Sequence, residues 1–565
     1  MTTTEAFTAP GPGAWELETT HYSRPVTRFT QEANVLGFAD GFRASAARFG
    51  LMLSHLEPGY AKGFTYMRAV GFGAPPDAKG PPPKLVMQAL TRIVPAMRRR
   101  MQAAHDAMEN KLWRSEMNRW DMEVKPAAIA RHKVLQTVDL ASLSDAELAS
   151  HVRDASAHLA SMVRQHHDFT VAVAIPIGDF LFQVHRWTGK PTGEILQVLK
   201  GSSKVSLGVA EPELNALTKA VQSNTEVRAV VFSAMQEQEV VDALLAHTAT
   251  AESMRAYMDM VRVRCIGYDL GSKSVGEMPE LTVRAIQAAV DRGGSQPVDQ
   301  VAVKARIVTL RAAVPFEHQR SFDALLAEAL YINRLRDERG HYSDGWAAGI
   351  ARRALGEAGR RLKARGVLSS ADLAYDGGCE EIVALMQGRA GPSEEELHAR
   401  AEWRNSKTIV DADVPPWLGA PPSPPPPSAW LPAKGRRAAD AIGAFLQALF
   451  AEPEPQTTTL TVKGLSVSPG VYEGTARVVN SEDDFGQIQR GDVLIAKSTS
   501  PYFNVVLPLL GAIVTDRGGQ LCHAAIVARE YGIPGVVGTR DACKLIPDGA
   551  RVRVNGASGV VTLLK

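Results

Sequence analysis

The residues Gly518-Gly519-Gln520-Leu521-Cys522-His523 lead straight into Ala524-Ala525-Ile526-Val527-Ala528-Arg529-Glu530-Tyr531, and Gly532-Ile533-Pro534-Gly535 closes the run. Helix formers fill Ala524 to Tyr531, while Gly532 and Pro534 supply the stop signals. His523 is thereby placed in the first turn, among backbone N–H groups without helical partners and at the positive end of the helix dipole. A phosphate is held readily at such a point, and paired glycines let the backbone come close to it. An imidazole there can also carry the phosphoryl group covalently, as a nucleophile. Taken alone, a histidine in this position is more often an ordinary helix-start residue that does no chemistry.

Elsewhere the informative polar residues are those that helical spacing sets on an apolar face. After Ser144, the residues Leu148, Val152, Ala155, Leu159 and Met162 form one stripe, and His166 continues it. An imidazole there, with an ordinary pKa of about 6.5, could act as general base on a substrate hydroxyl. It could also be a core histidine bonded to a carbonyl, or a cap on the helix end. After Glu317, a stripe of Phe322, Leu325, Ala329 and Ile332 is followed by Arg336. Its guanidinium could grip phosphoryl oxygens in bidentate fashion, or pair with Asp337, Glu338 or a neighbouring helix. Arg24, Arg28 and Arg264 are further cationic candidates; Asp179 and Asp269 are candidate bases that periodicity does not orient. The run His166-His167-Asp168 is not read as a metal site, because adjacent helical residues point apart. No metal ligands are expected.

The elements that must hold these side chains fall into distinct stretches. From about Gln31 to Arg404 the apolar residues recur at steps of three and four, as in Lys84 to Trp113, Ser144 to His167, Gln296 to Ala312, Glu317 to Arg336 and Asp344 to Arg365. Strand patterns are scarce there, and an all-helical region is expected. At Val414 the composition changes. The run Pro415 to Pro427 favours polyproline II, and at about 3.1 Å per residue it would reach on the order of 40 Å as a semi-rigid strut. Trp417 and Trp430 could instead anchor it to the helical body as a strap. A helix over Gly435 to Phe450 and a polar connector, Glu452 to Thr459, follow. After Leu460 the period switches to two, with short strands near Ala476, Asp492, Gly511, Gly535, Arg551 and Val560 between Gly and Asp turns. Helical pieces near Phe503 to Leu510 and Ala524 to Tyr531 complete an α/β domain of roughly 100 residues. The expected fold class is multidomain, α + α/β: a helical domain over 1–413, a Pro-rich linker with one helix over 414–459, and a β/β/α domain over 460–565.

Composition bounds the function. In 565 residues, 45% are apolar and 22% charged, as in an ordinary soluble globular protein. A net charge of +2 argues against electrostatically driven nucleic-acid or membrane binding. The 4 cysteines, Cys265, Cys379, Cys522 and Cys543, lie far apart and form no CxxC pair. Met1 to Trp15 lacks the basic and apolar regions of a secretory signal, and Val171 to Phe182 is too short and interrupted to span a bilayer. A cytoplasmic protein is expected.

The segment Thr515-Asp516-Arg517-Gly518-Gly519, through His523-Ala-Ala-Ile-Val-Ala-Arg-Glu, to Gly532-Ile-Pro-Gly-Val-Val-Gly538 resembles the phosphohistidine motif of phosphoenolpyruvate synthase. Pyruvate phosphate dikinase and rifampicin phosphotransferase share that motif. The resemblance runs from about Gly464 to the C-terminus and includes Ser468-Pro469-Gly470-Val471. It implies a swivelling phosphohistidine domain in which His523 is phosphorylated and Thr515, Arg517, Gly518, Gly519 and Cys522 steady the phosphoryl group. Cys522 stands where the family places a small residue, Cys or Ser.

No GxxxxGK[ST] loop occurs, and nothing resembles the glycine-rich nucleotide-grasping domain of the dikinases or the pyruvate-binding barrel that follows the phosphohistidine domain in phosphoenolpyruvate synthase. The resemblance therefore implies that ATP and Mg²⁺ are bound by a separate ATP-grasp-type subunit, in a hetero-oligomer, with the β-phosphoryl moving to His523. The acceptor site is then expected in the helical body. Trp15-Glu-Leu-Glu-Thr-Thr-His21-Tyr-Ser-Arg24-Pro25-Val-Thr-Arg28-Phe29 resembles the start of the substrate domain of rifampicin phosphotransferase, and Arg264-Cys265-Ile266-Gly267 resembles a short element there. Tyr268-Asp269 departs from its acidic pattern. Phenylphosphate synthase also divides ATP binding and phosphohistidine between subunits, which implies a small phenol or alkylphenol as acceptor. Two alternatives stand beside that reading: a phosphocarrier or regulatory module with no acceptor site of its own, and an antibiotic-modifying phosphotransferase subunit.

Overall fold

Ser144 and Glu147 cap one another reciprocally: the Ser144 hydroxyl accepts from the Glu147 amide, and the Glu147 carboxylate accepts from the Ser144 amide. This pairing starts the long helix Asp145–Asp168 where the apolar stripe begins, and the stripe from Leu148 to Met162 is buried as expected. The structure, a computed structural model, describes residues 6–564 except 76, 79, 204, 206–207, 293–298, 410–411, 422, 451–460, 481, 500–502 and 504–505. The chain divides into two compact units. One comprises Met1–Asp179, Tyr268–Gly271 and Glu338–Gly443; the other comprises Phe180–Gly267, Ser272–Asp337 and Ala444–Lys565. These boundaries differ from the division expected at 413 and 460, because residues 180–337 cluster largely with the C-terminal stretch.

In the first unit the helix Arg28–Arg48 lies against Asp145–Asp168 with almost no side chain between them. A Cβ at Gly37 would sit 2.8 Å from the Arg164 amide nitrogen, and one at Gly41 would run into the Arg164 carbonyl and lie 3.0 Å from His167 Cβ. Two glycines thus fix the height of the turn that carries His166. The helix Asp344–Ala364 packs nearby through small residues, among them Ala347, Ala351, Ala354 and Ala358, all fully buried.

The expectation of an all-helical N-terminal region is corrected by a four-stranded antiparallel sheet. Its strands are β1 (Ala14–Leu17), β2 (Leu53–Ala61), β3 (Phe64–Gly71) and β4 (Trp417–Gly419), in the order β2-β3-β1-β4. The β2–β3 turn is Lys62-Gly63, both with positive φ (49° and 82°), which matches the twist of a two-residue hairpin. The alternation in β2 is masked by Pro58 and Gly59, so sequence periodicity does not disclose it. The last strand comes from the proline run. Trp417–Gly419 pairs with Ala14–Glu16, and Tyr66 donates its hydroxyl proton to the Pro415 carbonyl at 2.8 Å. Pro415 to Gly419 is therefore a strap on the sheet and not a free strut. Further along, Trp430 packs with Met87, Met101 and Leu431, and the expected helix runs over Ala433–Phe450. The connector Glu452 to Thr459 lies outside the described residues.

The second unit holds the strands β5 (Thr461–Lys463), β6 (Leu465–Ser468), β7 (Val471–Val479), β8 (Val493–Ala496), β9 (Ala512–Thr515), β10 (Gly535–Val537), β11 (Arg551–Asn555) and β12 (Val560–Leu563), in the order β5-β12-β11-β7-β8-β9-β10-β6. β7 to β10 are mutually parallel, and the flanking strands are antiparallel. Every residue of β8 and β9 is buried, as in a sheet covered on both faces. Alternation sorts them: Val493, Ile495, Ala512 and Val514 join Val552 and Val554 in one core. Leu494, Ala496 and Ile513 join Ala524 and Val527 in another, which also includes Leu217, Val221, Leu281 and Ile286. The helices Glu211–Gln222 and Pro279–Arg292 thus share a continuous apolar core with one face of the sheet. Among the described residues no helix is long and apolar enough to cross a membrane.

Candidate functional site

His523 opens the helix His523–Tyr531 directly behind Cys522, the residue at the cap position. The loop leading to it leaves the carboxyl end of β9. That loop continues the pairing of the parallel sheet, because the Asp516 amide donates to the Ala496 carbonyl and the Arg517 amide to the Lys497 carbonyl. The ends of β8 and β9 are thereby held side by side, and Thr499, just past β8, meets the histidine. Thr499 Oγ1 lies 2.9 Å from His523 Nδ1. The threonine is 7% exposed, and the imidazole is half-buried. At the start of the helix the amides of Ala524 and Ala525 have no acceptor among the described residues, whereas the Ile526 amide already donates to Cys522. Two N–H groups and the helix dipole therefore face the place where an anion on His523 would sit.

The loop itself is pinned. The Gly519 amide donates to Leu449 and the Leu521 amide to Ala448, both carbonyls at the end of the helix Ala433–Phe450. A Cβ at Gly519 would lie 2.6 Å and 2.7 Å from those two carbonyl oxygens. These amides hold the preceding helix, so the anion-binding N–H groups are those of the helix start. Gly518 has φ +110°, and a Cβ there would meet Cys522 Sγ at 2.6 Å. Thr515 is fully buried and donates its hydroxyl to the Arg517 carbonyl at 2.9 Å, bracing the turn from inside. Arg517 is half-buried beside it, and Cys522 is buried. Asp516 accepts from the Thr539 hydroxyl and the Cys543 amide. On the same helix Arg529, 5% exposed, donates to the Gln520 carbonyl at 2.7 Å. Burial, then the neighbouring Arg336, lowers its pKa to about 10. Glu530 accepts from the Gly201 amide, and burial raises its carboxyl to about 7.

The remaining candidates separate. Arg336 forms an ion pair with Asp337 at 3.1 Å in the second unit, the internal pairing open from sequence. Arg264 is buried there and donates Nε to the Met260 carbonyl. In the first unit Arg24 donates to the Asn405 carbonyl, and Arg28 pairs with Glu381 at 3.1 Å. Asp179 is 2% exposed and held by Arg437 at 2.7 Å. Asp269 accepts from the hydroxyls of Thr27 and Thr30 and from the Thr27 amide, so its oxygens cap a helix start. Neither aspartate is placed as a free base. His166 differs: its Nδ1 lies 2.7 Å from Asp344 Oδ1, and it is 20% exposed.

Thr499 and Asp344 are the two partners that sequence reasoning missed. The only local signal for Thr499 is its position just past a strand of a parallel sheet, where ligand-binding residues gather. Asp344 signals only as the first residue of a helix. Among the described residues no group of His, Cys, Asp and Glu is placed to hold a metal ion.

Comparison with known proteins agrees with this geometry. Residues 488–559 match the family described as PEP-utilising enzyme, mobile domain. A probable phosphoenolpyruvate synthase of Archaeoglobus fulgidus is 44% identical over 102 residues, covering 18% of this chain and 14% of that protein. An uncharacterized phosphotransferase of Bacillus subtilis, YvkC, is 30% identical over 248 residues, covering 43% of this chain and 27% of its own length. A rifampicin phosphotransferase of Bacillus subtilis is 42% identical over 102 residues, covering 18% of this chain and 12% of that protein. The chain thus spans well under a third of the length of each of these relatives.

Proposed function

We propose that this chain is a phosphotransferase component in which His523 takes up a phosphoryl group and passes it to the hydroxyl of a small phenol-like acceptor. ATP and Mg²⁺ are held by a separate ATP-grasp-type subunit. The observation that carries the reading is the 2.9 Å contact of Thr499 with His523 Nδ1 at an anion-binding helix start, within a segment that matches a mobile domain of PEP-utilising enzymes. With Nδ1–H hydrogen-bonded to the Thr499 oxygen, the Nε2 lone pair attacks phosphorus, and the P–O bond to the donor breaks with its electron pair leaving on the departing phosphate oxygen. Phosphoryl transfer passes through a loose transition state whose charge is met by positioned dipoles, here the Ala524 and Ala525 amides. In the second half-reaction the P–Nε2 bond breaks toward the acceptor oxygen.

The test is intact-mass and acid-lability analysis of the protein after incubation with ATP, Mg²⁺ and candidate ATP-grasp partners. The expected product is one acid-labile phosphate on His523, absent from His523→Ala. Phosphate recovered on Ser, Thr or Asp overturns the reading. A second reading, with a larger hydroxylated antibiotic as acceptor, is favoured by the likeness to rifampicin phosphotransferase. A panel of phenols and hydroxylated antibiotics as acceptors separates the two.

A further inference from the structure

Within the first unit a set of ionisable and aromatic side chains crowds around His166. Its ring stacks on His167 with centroids 4.6 Å apart, and His167 in turn lies 3.6 Å from the Phe38 ring. His21 is hydrogen-bonded to Glu18 at 3.0 Å and stands edge-on to Tyr268 at 5.0 Å. Tyr22 packs against Tyr268 and shares Asn34 with Tyr60. These groups lie close enough for Arg339 and Asp344 to act on the protonation of both His21 and His166. Burial opposes the charged form of His21, His166 and His167, yet solvent reaches the cluster: His21 is 40% exposed, Asp344 28% and His166 20%.

From this arrangement we infer that this side-chain cluster is the acceptor site, with His166 as the base that deprotonates the substrate hydroxyl and Asp344 as the residue that positions it. The assignment rests on the reading that His523 donates the phosphoryl group. Asp344 accepts a hydrogen bond from His166 Nδ1, which leaves the Nε2 lone pair for the substrate, while the His166 carbonyl accepts from Arg339. Burial first, and then the charges of Arg339 and His21, hold His166 below its usual pKa although Asp344 pulls the other way. The imidazole is therefore neutral at pH 7 and competent as a base. His167 is held well below its usual value by burial and by His166. Burial opposes the charged form of His21, but Glu18 outweighs it and raises its pKa.

The charges also select the ligand. Glu18 is matched by His21 and Asp344 by His166, while Asp269 is taken up by Thr27 and Thr30. The side chains around these pairs are half-buried aromatic rings, Tyr22, Tyr268, Phe38 and His167. The chemistry that fits is a neutral, flat, ring-bearing hydroxyl compound. In the step, the acceptor O–H proton passes to His166 Nε2 and its oxygen forms the new bond to phosphorus. The P–Nε2 bond of His523 breaks, its electron pair returns to Nε2, and His523 retains its Nδ1 proton. The imidazolium formed on His166 is stabilised by Asp344.

The test uses the full chain and two readouts. Phenol and 4-methylphenol titrated into unphosphorylated protein should shift the His166 imidazole NMR resonances, and Tyr268→Ala should weaken that binding about tenfold. Separately, protein labelled on His523 by inorganic phosphoramidate and freed of the reagent should transfer phosphate to the phenols. His166→Gln should slow that transfer by about a hundredfold or more, with labelling of His523 unchanged. Asp344→Asn should move the acid limb of the transfer pH profile to lower pH, because the carboxylate that raises the His166 pKa is gone. Phenols that leave His166 unshifted at millimolar concentration, or a His166→Gln protein that transfers at the wild-type rate, overturn the assignment. Shifted His166 resonances in a protein that cannot be labelled on His523 would leave the acceptor site standing and remove the proposed donor.

Discussion

Thr499→Val removes the hydroxyl oxygen that lies 2.9 Å from His523 Nδ1. Valine keeps the volume and branching of threonine, so the 7% exposed site should remain filled. The chemical loss is specific. Without Oγ1 the Nδ1–H tautomer loses this acceptor, and its N–H is less well satisfied in a half-buried setting. Losing one neutral hydrogen bond costs about 1 kcal/mol, and leaving a buried donor unpaired raises this to about 3 kcal/mol. At about 1.4 kcal/mol per decade of rate, phosphorylation of His523 should slow by roughly 5- to 150-fold. The assay is the rate of phosphohistidine formation with inorganic phosphoramidate, followed by ³¹P NMR, which also separates Nε2 from Nδ1 adducts. Thr499→Ser should recover most of the rate, and the Val protein should melt close to wild type. A Val variant labelled on Nε2 at the wild-type rate would show that Thr499 does not prepare the nucleophile.

Gly519→Ala should displace the histidine loop, because its Cβ would press on the Ala448 and Leu449 carbonyl oxygens at 2.6 Å and 2.7 Å. A loss of about 1–3 kcal/mol by thermal or urea melts, together with slower labelling of His523, is expected; unchanged stability would count against the pinned loop. Glu530 gives a pH signature. Burial raises its folded pKa to about 7, above an unfolded value of about 4.3, so the folded state binds the extra proton between these values. Its contribution is fully present at acid pH and is lost as pH rises from about 4.3 to about 7. Glu530→Gln keeps an acceptor for the Gly201 amide and should flatten that part of the stability–pH curve, read by melts from pH 5 to 8. A parallel curve for wild type and variant would contradict it.

The C-terminal region was legible because its signals are short-range. Gly532 and Pro534 mark the end of the helix after His523, and the Gly and Asp turns mark the strands, all within a few residues of what they delimit. The four-stranded sheet was hidden for the opposite reason: β1 pairs with β4, whose residues read locally as part of a proline run. Helical periodicity placed His166 correctly on its face but could not see Asp344, which opens a different helix. The stripe after Glu317 put Leu325 in the core, where the structure buries Leu326. Asp269 shows the limit of residue type as a guide, since a carboxylate suited to act as base is instead consumed by two threonine hydroxyls and an amide. Thr499 could be found only through the parallel pairing of β8 with β9, which brings the two strand ends together.

The central claim is that one histidine receives and then surrenders the phosphoryl group. Its most direct test is a chase on the full chain. Protein labelled with ³²P-phosphoramidate and desalted is mixed with phenol, and the label is followed on peptides and in small molecules. The account predicts an acid-labile, base-stable label on the His523 peptide that decays as phenyl phosphate appears, with neither signal in His523→Ala. Equal labelling of His523→Ala, or a stable label on His523 while phenyl phosphate forms, would contradict it.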